Sequence, residues 1–116
     1  VEDLDGVPLI CQEKEPQTQY RVLSVFRAAD IEPTVKVEAN LALMICKLVS
    51  SGTGAAIVEP ITAREMESDA FCIKPFRPTL TFEPGIAFPE NRPRSKIAES
   101  FANHFKRHFA EDFGSN

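Results

Sequence analysis

Three cysteines, two histidines, scattered carboxylates and one Ser-Gly-Thr-Gly run are the groups in this sequence with the chemistry to act on something. The run "LVSSGTGAAIVEP", Leu48 to Pro60, has the composition of a phosphate cradle. A phosphate loop needs a strand, then the glycines, then a helix whose free N–H groups face the anion. Here an apolar-periodic segment comes first and a β-branched run follows. Gly52 therefore reads as the residue past a helix end that takes a positive φ cheaply, and Gly54 as the turn into a strand.

Cys11, Cys46 and Cys72 form an odd set with no C-x-x-C spacing, each inside an apolar segment. They read as small buried hydrophobes in a reducing compartment. A redox sensor instead asks for an exposed, electropositive cysteine beside a resolving partner. His104 and His108 lie far along the chain from every cysteine, so no metal site is expected. Glu13 and Glu15 follow one apolar run and Glu59 ends another. Acid–base catalysis needs two carboxylates converging on a pocket with separated pKa values, and no G-x-S-x-G, H-E-x-x-H or Cys–His signature accompanies them. No catalytic residue and no cofactor is expected.

The totals narrow the class. At 116 residues the chain is one domain or a piece of one. Its 43% apolar content supports a packed core, and its net charge of −4 gives no general pull toward nucleic acid or acidic lipid. No apolar run approaches the roughly 18 residues that suggest a membrane span. The start "VEDLDGVPLI" has neither a secretory pattern nor an initiator methionine, so a processed or excised cytoplasmic fragment is expected.

The elements that must position these groups follow from periodicity. "VPLIC", 7–11, reads as a buried strand, and Pro16 opens a helix from Gln17 to Ala29 with Tyr20, Val22, Leu23 and Phe26 inward. "TVKVEA", 34–39, alternates as a strand does. Asn40 is then a natural N-cap for a helix burying Leu41, Met44, Ile45, Leu48 and Val49. Strands are expected over 55–59, 70–76 and 79–89, with a short helix over 61–68. Ser95 caps a last helix whose Ile97, Phe101, Phe105 and Phe109 form a buried stripe. Its Lys96, His104, Lys106, Arg107 and His108 are interleaved with Glu99, Glu111 and Asp112, which is a solvated face and not a nucleic-acid surface. The order βαβαβ(α)ββα implies an α/β fold with a mostly parallel sheet flanked by helices.

In such sheets ligands sit at the carboxyl ends of strands, near helix N-termini. The residues there are Gln12 and Glu13, then Ala39 and Asn40, then Glu59, Pro60, Ile61 and Thr62. Asn40 has two readings, as a cap and as an amide edge offered to a ligand. The rim suits a small polar molecule carrying a carboxylate.

"LDGVPLI", "VKVEANLALMICKLVSSGTGAAIVEPITA", "FCIKPFRPTLTF" and "PENRPRSKIAESFANHFKRHF" together resemble the C-terminal part of the effector domain of LysR-type transcriptional regulators. The most specific piece is the helix–Gly-x-Gly–strand–Pro run, Leu48 to Pro60, and "VEP-ITA" is closest to members that sense amino acids or opines. The resemblance covers roughly Leu4 to Phe109. It implies a periplasmic-binding-protein-like fold and a non-enzymatic role, with a small-molecule inducer held between two subdomains. Residues 1–78 would be the second effector subdomain, and 79–116 the return strand and C-terminal helix belonging to the first. It further implies a homodimer or tetramer that meets DNA only through a helix-turn-helix absent from this chain. A thiol-based redox-sensing domain is the alternative.

Overall fold

A computed structural model of the chain describes residues 1–13, 16–81 and 83–113. Glu15 of the carboxylate pair and Phe82 of the expected return strand lie outside the described residues. The chain divides into two compact units, residues 1–82 and 83–116.

In the first unit a short 3-10 turn over Glu2–Leu4 leads into strand β1, Pro8–Gln12, followed by helix α1, Pro16–Ala28, strand β2, Thr34–Ala39, helix α2, Ala42–Ser50, and helix α3, Pro60–Glu65. β1 and β2 pair in parallel, from Pro8 opposite Thr34 to Gln12 opposite Ala39. The register slips between Leu9 and Ile10, so Lys36 has no partner in β1, and its Nζ lies 3.4 Å from the Thr53 carbonyl. Leu9 and Ile10 are adjacent, and both are 2% exposed. Successive side chains point to opposite faces of a strand, so both faces of β1 are covered. Val25 and Phe26 of α1, Ile45 and Cys46 of α2 and Ala63 of α3 complete the core. α2 packs against both strands and against α3.

Two helix ends use the same left-handed device. After α2, Gly52 has φ +78°, its N–H donates to Val49 O at 2.9 Å, and the Thr53 N–H donates to Leu48 O at 3.2 Å. That is the pair of reversed bonds of a Schellman cap, with glycine where glycine costs least. After α1, Asp30 takes the same position at φ +56°, with Asp30 N–H to Arg27 O and Ile31 N–H to Phe26 O. Asp30 therefore holds a conformation a side chain resists, and it places a carboxylate near the negative helix end.

The chain after α2 is less regular than its pattern predicts. The expected strand over 55–59 is reduced to a parallel bridge between Ala55 and Leu9, with Ala55 N–H to Pro8 O and Ile10 N–H to Ala55 O, both 2.9 Å. Of the strand over 70–76 only a Ser68–Phe71 antiparallel bridge forms. Residues 79–81 and 83–89 form no strand. Pro75, Pro78, Pro84 and Pro89 each lack the N–H a ladder needs, which limits pairing here. The short helix spans Pro60–Glu65 and stops before the expected 68.

Four burial expectations also change. Tyr20 is 67% exposed, while α1 buries Phe26 as expected and Val25 beside it. α2 buries Ile45 and Cys46 and leaves Leu41 and Met44 exposed. Cys72 is exposed, because the segment carrying it joins no sheet. In the second unit, helix α4, Lys96–Phe113, starts as expected: the Ala98 N–H donates to Ser95 Oγ at 3.1 Å. Its phenylalanine rings stack in series, with centroids 6.3 Å apart for Phe101–Phe105 and 6.0 Å for Phe105–Phe109. Ile97 and Phe101 of that stripe are 83% and 67% exposed, against the expectation of a buried face.

Asp30→Gly should stabilise the fold by about 0.5–1 kcal/mol, and Asp30→Ala should destabilise it, read from urea midpoints. Equal midpoints for the two variants would refute the strain argument. Gly54→Ala should cost about 2 kcal/mol or more, because its Cβ would stand 2.1 Å from Pro8 O, a backbone atom.

Candidate ligand-binding site

β1 is bonded along both edges. One edge pairs with β2 and ends with Glu13 N–H to Ala39 O at 2.9 Å, while on the other Pro8 and Ile10 bond to Ala55. All three segments run parallel, and the chain reaches β2 through α1 but reaches Ala55 through α2. The strand order thus reverses at β1. Its carboxyl end is a topological switch point, where neighbouring connections depart in opposite directions and leave a crevice.

The structure brings Gln12, Glu13, Ala39 and Asn40 together there. Gln12 is opposite Ala39 in the register, and Gln12 and Glu13 are half-buried. Asn40 does not cap α2, contrary to one of its two readings. The cap is Leu41, at φ −123° and with no side-chain bond, so Asn40 stands one residue outside the helix and is exposed. Its amide is not consumed by capping.

Glu59, Pro60, Ile61 and Thr62 form a different local structure. Glu59 is the N-cap of α3: its Oε2 accepts from the Thr62 N–H at 2.8 Å, and Oε1 accepts from the Thr62 hydroxyl. Pro60 occupies the first helical position, where a missing N–H costs nothing. The carboxylate and hydroxyl of this turn are thus engaged with each other.

Two polar residues beside Gln12 escaped the sequence reading. Thr18 and Gln19, in the first turns of α1, line a cavity with Gln12, Leu9, Val22 and Ile57. Its volume is about 30 Å³, roughly one water. A signal existed in the sequence: polar residues at the start of the helix that follows a central strand face that strand's carboxyl end. A drug-sized ligand needs on the order of 300 Å³ or more, so this cavity does not enclose one.

Charge at this end is acidic. Glu38 lies opposite Cys11 in the register, beside Glu13 and Ala39. Burial, and then the Glu38 carboxylate, push the Cys11 thiol pKa up; burial and Glu59 do the same to Cys46. Both thiols are held protonated, so the stability they contribute is present below the ordinary thiol range and is lost as pH rises through the raised folded values. Among the described residues no group of three or more His, Cys, Asp and Glu side chains could hold a metal. No described helix is long and apolar enough to cross a membrane.

Comparison with known proteins agrees with this geometry. The LysR substrate binding domain matches over residues 1–110. Regulatory protein NocR of Agrobacterium tumefaciens (strain T37) is 27% identical over 99 residues, which cover 85% of this chain and 33% of that protein. Transcriptional activator protein LysR of Escherichia coli (strain K12) is 22% identical over 105 residues, 90% of this chain and 34% of that protein. The chain spans about a third of the length of these curated relatives. No solved structure gives a significant match. With an α/β core, a parallel pair covered on both faces and a family match over nearly its whole length, the chain belongs to the LysR substrate-binding domain family, the periplasmic-binding-protein-like effector domain of LysR-type regulators.

Proposed function

We propose that the chain binds a small zwitterionic metabolite of the amino-acid or opine class at the carboxyl end of β1, and that this binding controls a DNA-bound regulator. The switch point at β1 carries the reading. Gln12 and Asn40 supply amide edges, Glu13 attracts an ammonium or guanidinium group, and the start of α1 favours a carboxylate. Glu59, Pro60, Ile61 and Thr62 belong to the rim as well. With Glu59 and Thr62 bonded to each other, that turn contributes shape more than charge. The ligand class draws on the acidic rim and on the likeness to NocR and LysR.

The second half of the cleft comes from another α/β subdomain. On this reading residues 1–78 form one subdomain, while residues 79–116 belong to the other and present the α4 stripe to it. Inducer binding favours one arrangement of the two, in a dimer or tetramer that reaches DNA through a separate helix-turn-helix. The inducer must bind the two arrangements with different affinity, or it shifts nothing.

A thermal-shift panel of amino acids, opines and aromatic acids on the parent regulator tests the reading. A ligand at a hundred times its dissociation constant should stabilise the folded state by about 2.7 kcal/mol. Asn40→Ala or Gln12→Ala should weaken that ligand tenfold or more, while Arg27→Ala, in the exposed last turn of α1, should not. A ligand whose affinity ignores both rim variants would sink the assignment.

The redox alternative predicts a fast, functionally coupled thiol. Titration of the native chain with Ellman's reagent should label exposed Cys72 first and buried Cys46 on the order of a hundredfold more slowly. Oxidation that changes the parent's DNA binding, and is abolished by Cys72→Ser, would favour the redox reading over ligand binding.

A further inference from the structure

We propose that His104 and His108 of α4 form a chelating site for a borderline divalent cation, with Zn²⁺ the best fit. Both side chains are exposed, one turn apart on a single helix face. Their rings lie 9° from parallel with centroids 6.5 Å apart. Two histidines four residues apart are the arrangement with which a helix offers two ligands to zinc. At Zn–N distances of about 2.0–2.1 Å, two imidazoles on one tetrahedral ion place their centroids roughly 5 Å apart. Rotation of exposed side chains closes that difference without moving the backbone. Neutral imidazole suits zinc, nickel and copper, and is a poor ligand for magnesium or calcium.

A second observation concerns the next turn. Asp112 Oδ2 stands 3.4 Å from His108 Nε2. Ligating histidines almost always donate their other ring N–H to a carboxylate or carbonyl, which fixes the tautomer and raises the basicity of the nitrogen that binds metal. A proton on Nε2, the nitrogen nearer Asp112, leaves the lone pair of neutral His108 on Nδ1. On His104, Arg107 Nη2 approaches Nδ1 at 3.2 Å. A guanidinium only donates, so Nδ1 is the acceptor there. The cation and Arg107 therefore compete for the same lone pair, and metal binding releases the arginine. With no third protein ligand among the described residues, water completes the coordination shell.

The chain has two histidines, so imidazole resonances report this site alone. Titration of the intact chain with ZnCl₂ should shift both rings together and saturate at one zinc per chain, while MgCl₂ leaves them unmoved. His104→Gln or His108→Gln should lower the affinity at least tenfold, and Asp112→Asn by up to roughly tenfold. Arg107→Gln should raise it several-fold, an effect that a merely structural arginine would not produce. Circular dichroism of each variant checks that α4 is retained. Unmoved rings in zinc, or a single-histidine variant that binds as tightly as the unaltered chain, would overturn the proposal.

Discussion

Hydrogen bonding along both edges of β1 governs the arrangement of the first unit. One edge is committed to β2 from Pro8 to Gln12 and onward to the Glu13–Ala39 bond; the other is committed to Ala55. Because these segments run parallel, each connection must cross a face of the sheet and cannot turn back as a hairpin. Crossovers through α1 and α2 follow, and so does the burial of adjacent Leu9 and Ile10. The close approach of Gly54 to Pro8 is part of the same requirement, since any side chain there would hold the Ala55 segment off the strand. Three carboxyl ends then face one way, and the polar rim is a consequence.

The core built on that strand is small. Phe26, Ile10 and Ile45 are its largest fully buried side chains, and no buried side-chain polar atom among the described residues lacks a partner. A unit of this size has little surplus burial to set against conformational entropy. Meanwhile Leu41, the cap of α2, and Leu43 and Met44 in its first turn are exposed, and α1 leaves Tyr20 exposed. Single exposed apolar residues are ordinary, but three within four positions of one short helix are a concentration. Within this unit, apolar area is left over that its own sheet does not use.

What could be read from the sequence was mostly local. The Gly52 cap and the Ser95 cap were legible because each depends on a few adjacent residues and one backbone geometry. The facing of α2 was not, since "ALMIC" is apolar all round and the periodicity does not choose Ile45 and Cys46 over Leu41 and Met44. Asn40 missed capping by one residue, a distance set by where β2 releases the chain and not by the residue's own preference. The segments after Ala55 are extended in pattern, but a strand exists only where a neighbour offers a ladder, and sequence does not reveal the neighbour. The place of Gln12, Glu13 and Asn40 at or just after strand ends was legible in the apolar run of β1 and the alternation of β2. Thr18 and Gln19 were missed because the start of α1 was searched for its apolar face alone.

The openness of the rim bears on how a ligand would act. The cavity that Gln12 lines beside this rim is water-sized, so a metabolite bound at Gln12, Glu13 and Asn40 would keep much of its surface outside it. Polar groups left facing solvent contribute little discrimination; the same groups desolvated against a second surface discriminate sharply, because an unpaired partner then carries a penalty. Selectivity and response would therefore come from the same event on the proposed reading. A second subdomain that closes over the rim both tests the ligand's hydrogen bonds and changes the arrangement of the two halves. An arrangement with the rim open would retain only the weaker contacts, and that difference in affinity is what lets a small molecule shift the population of a much larger regulator.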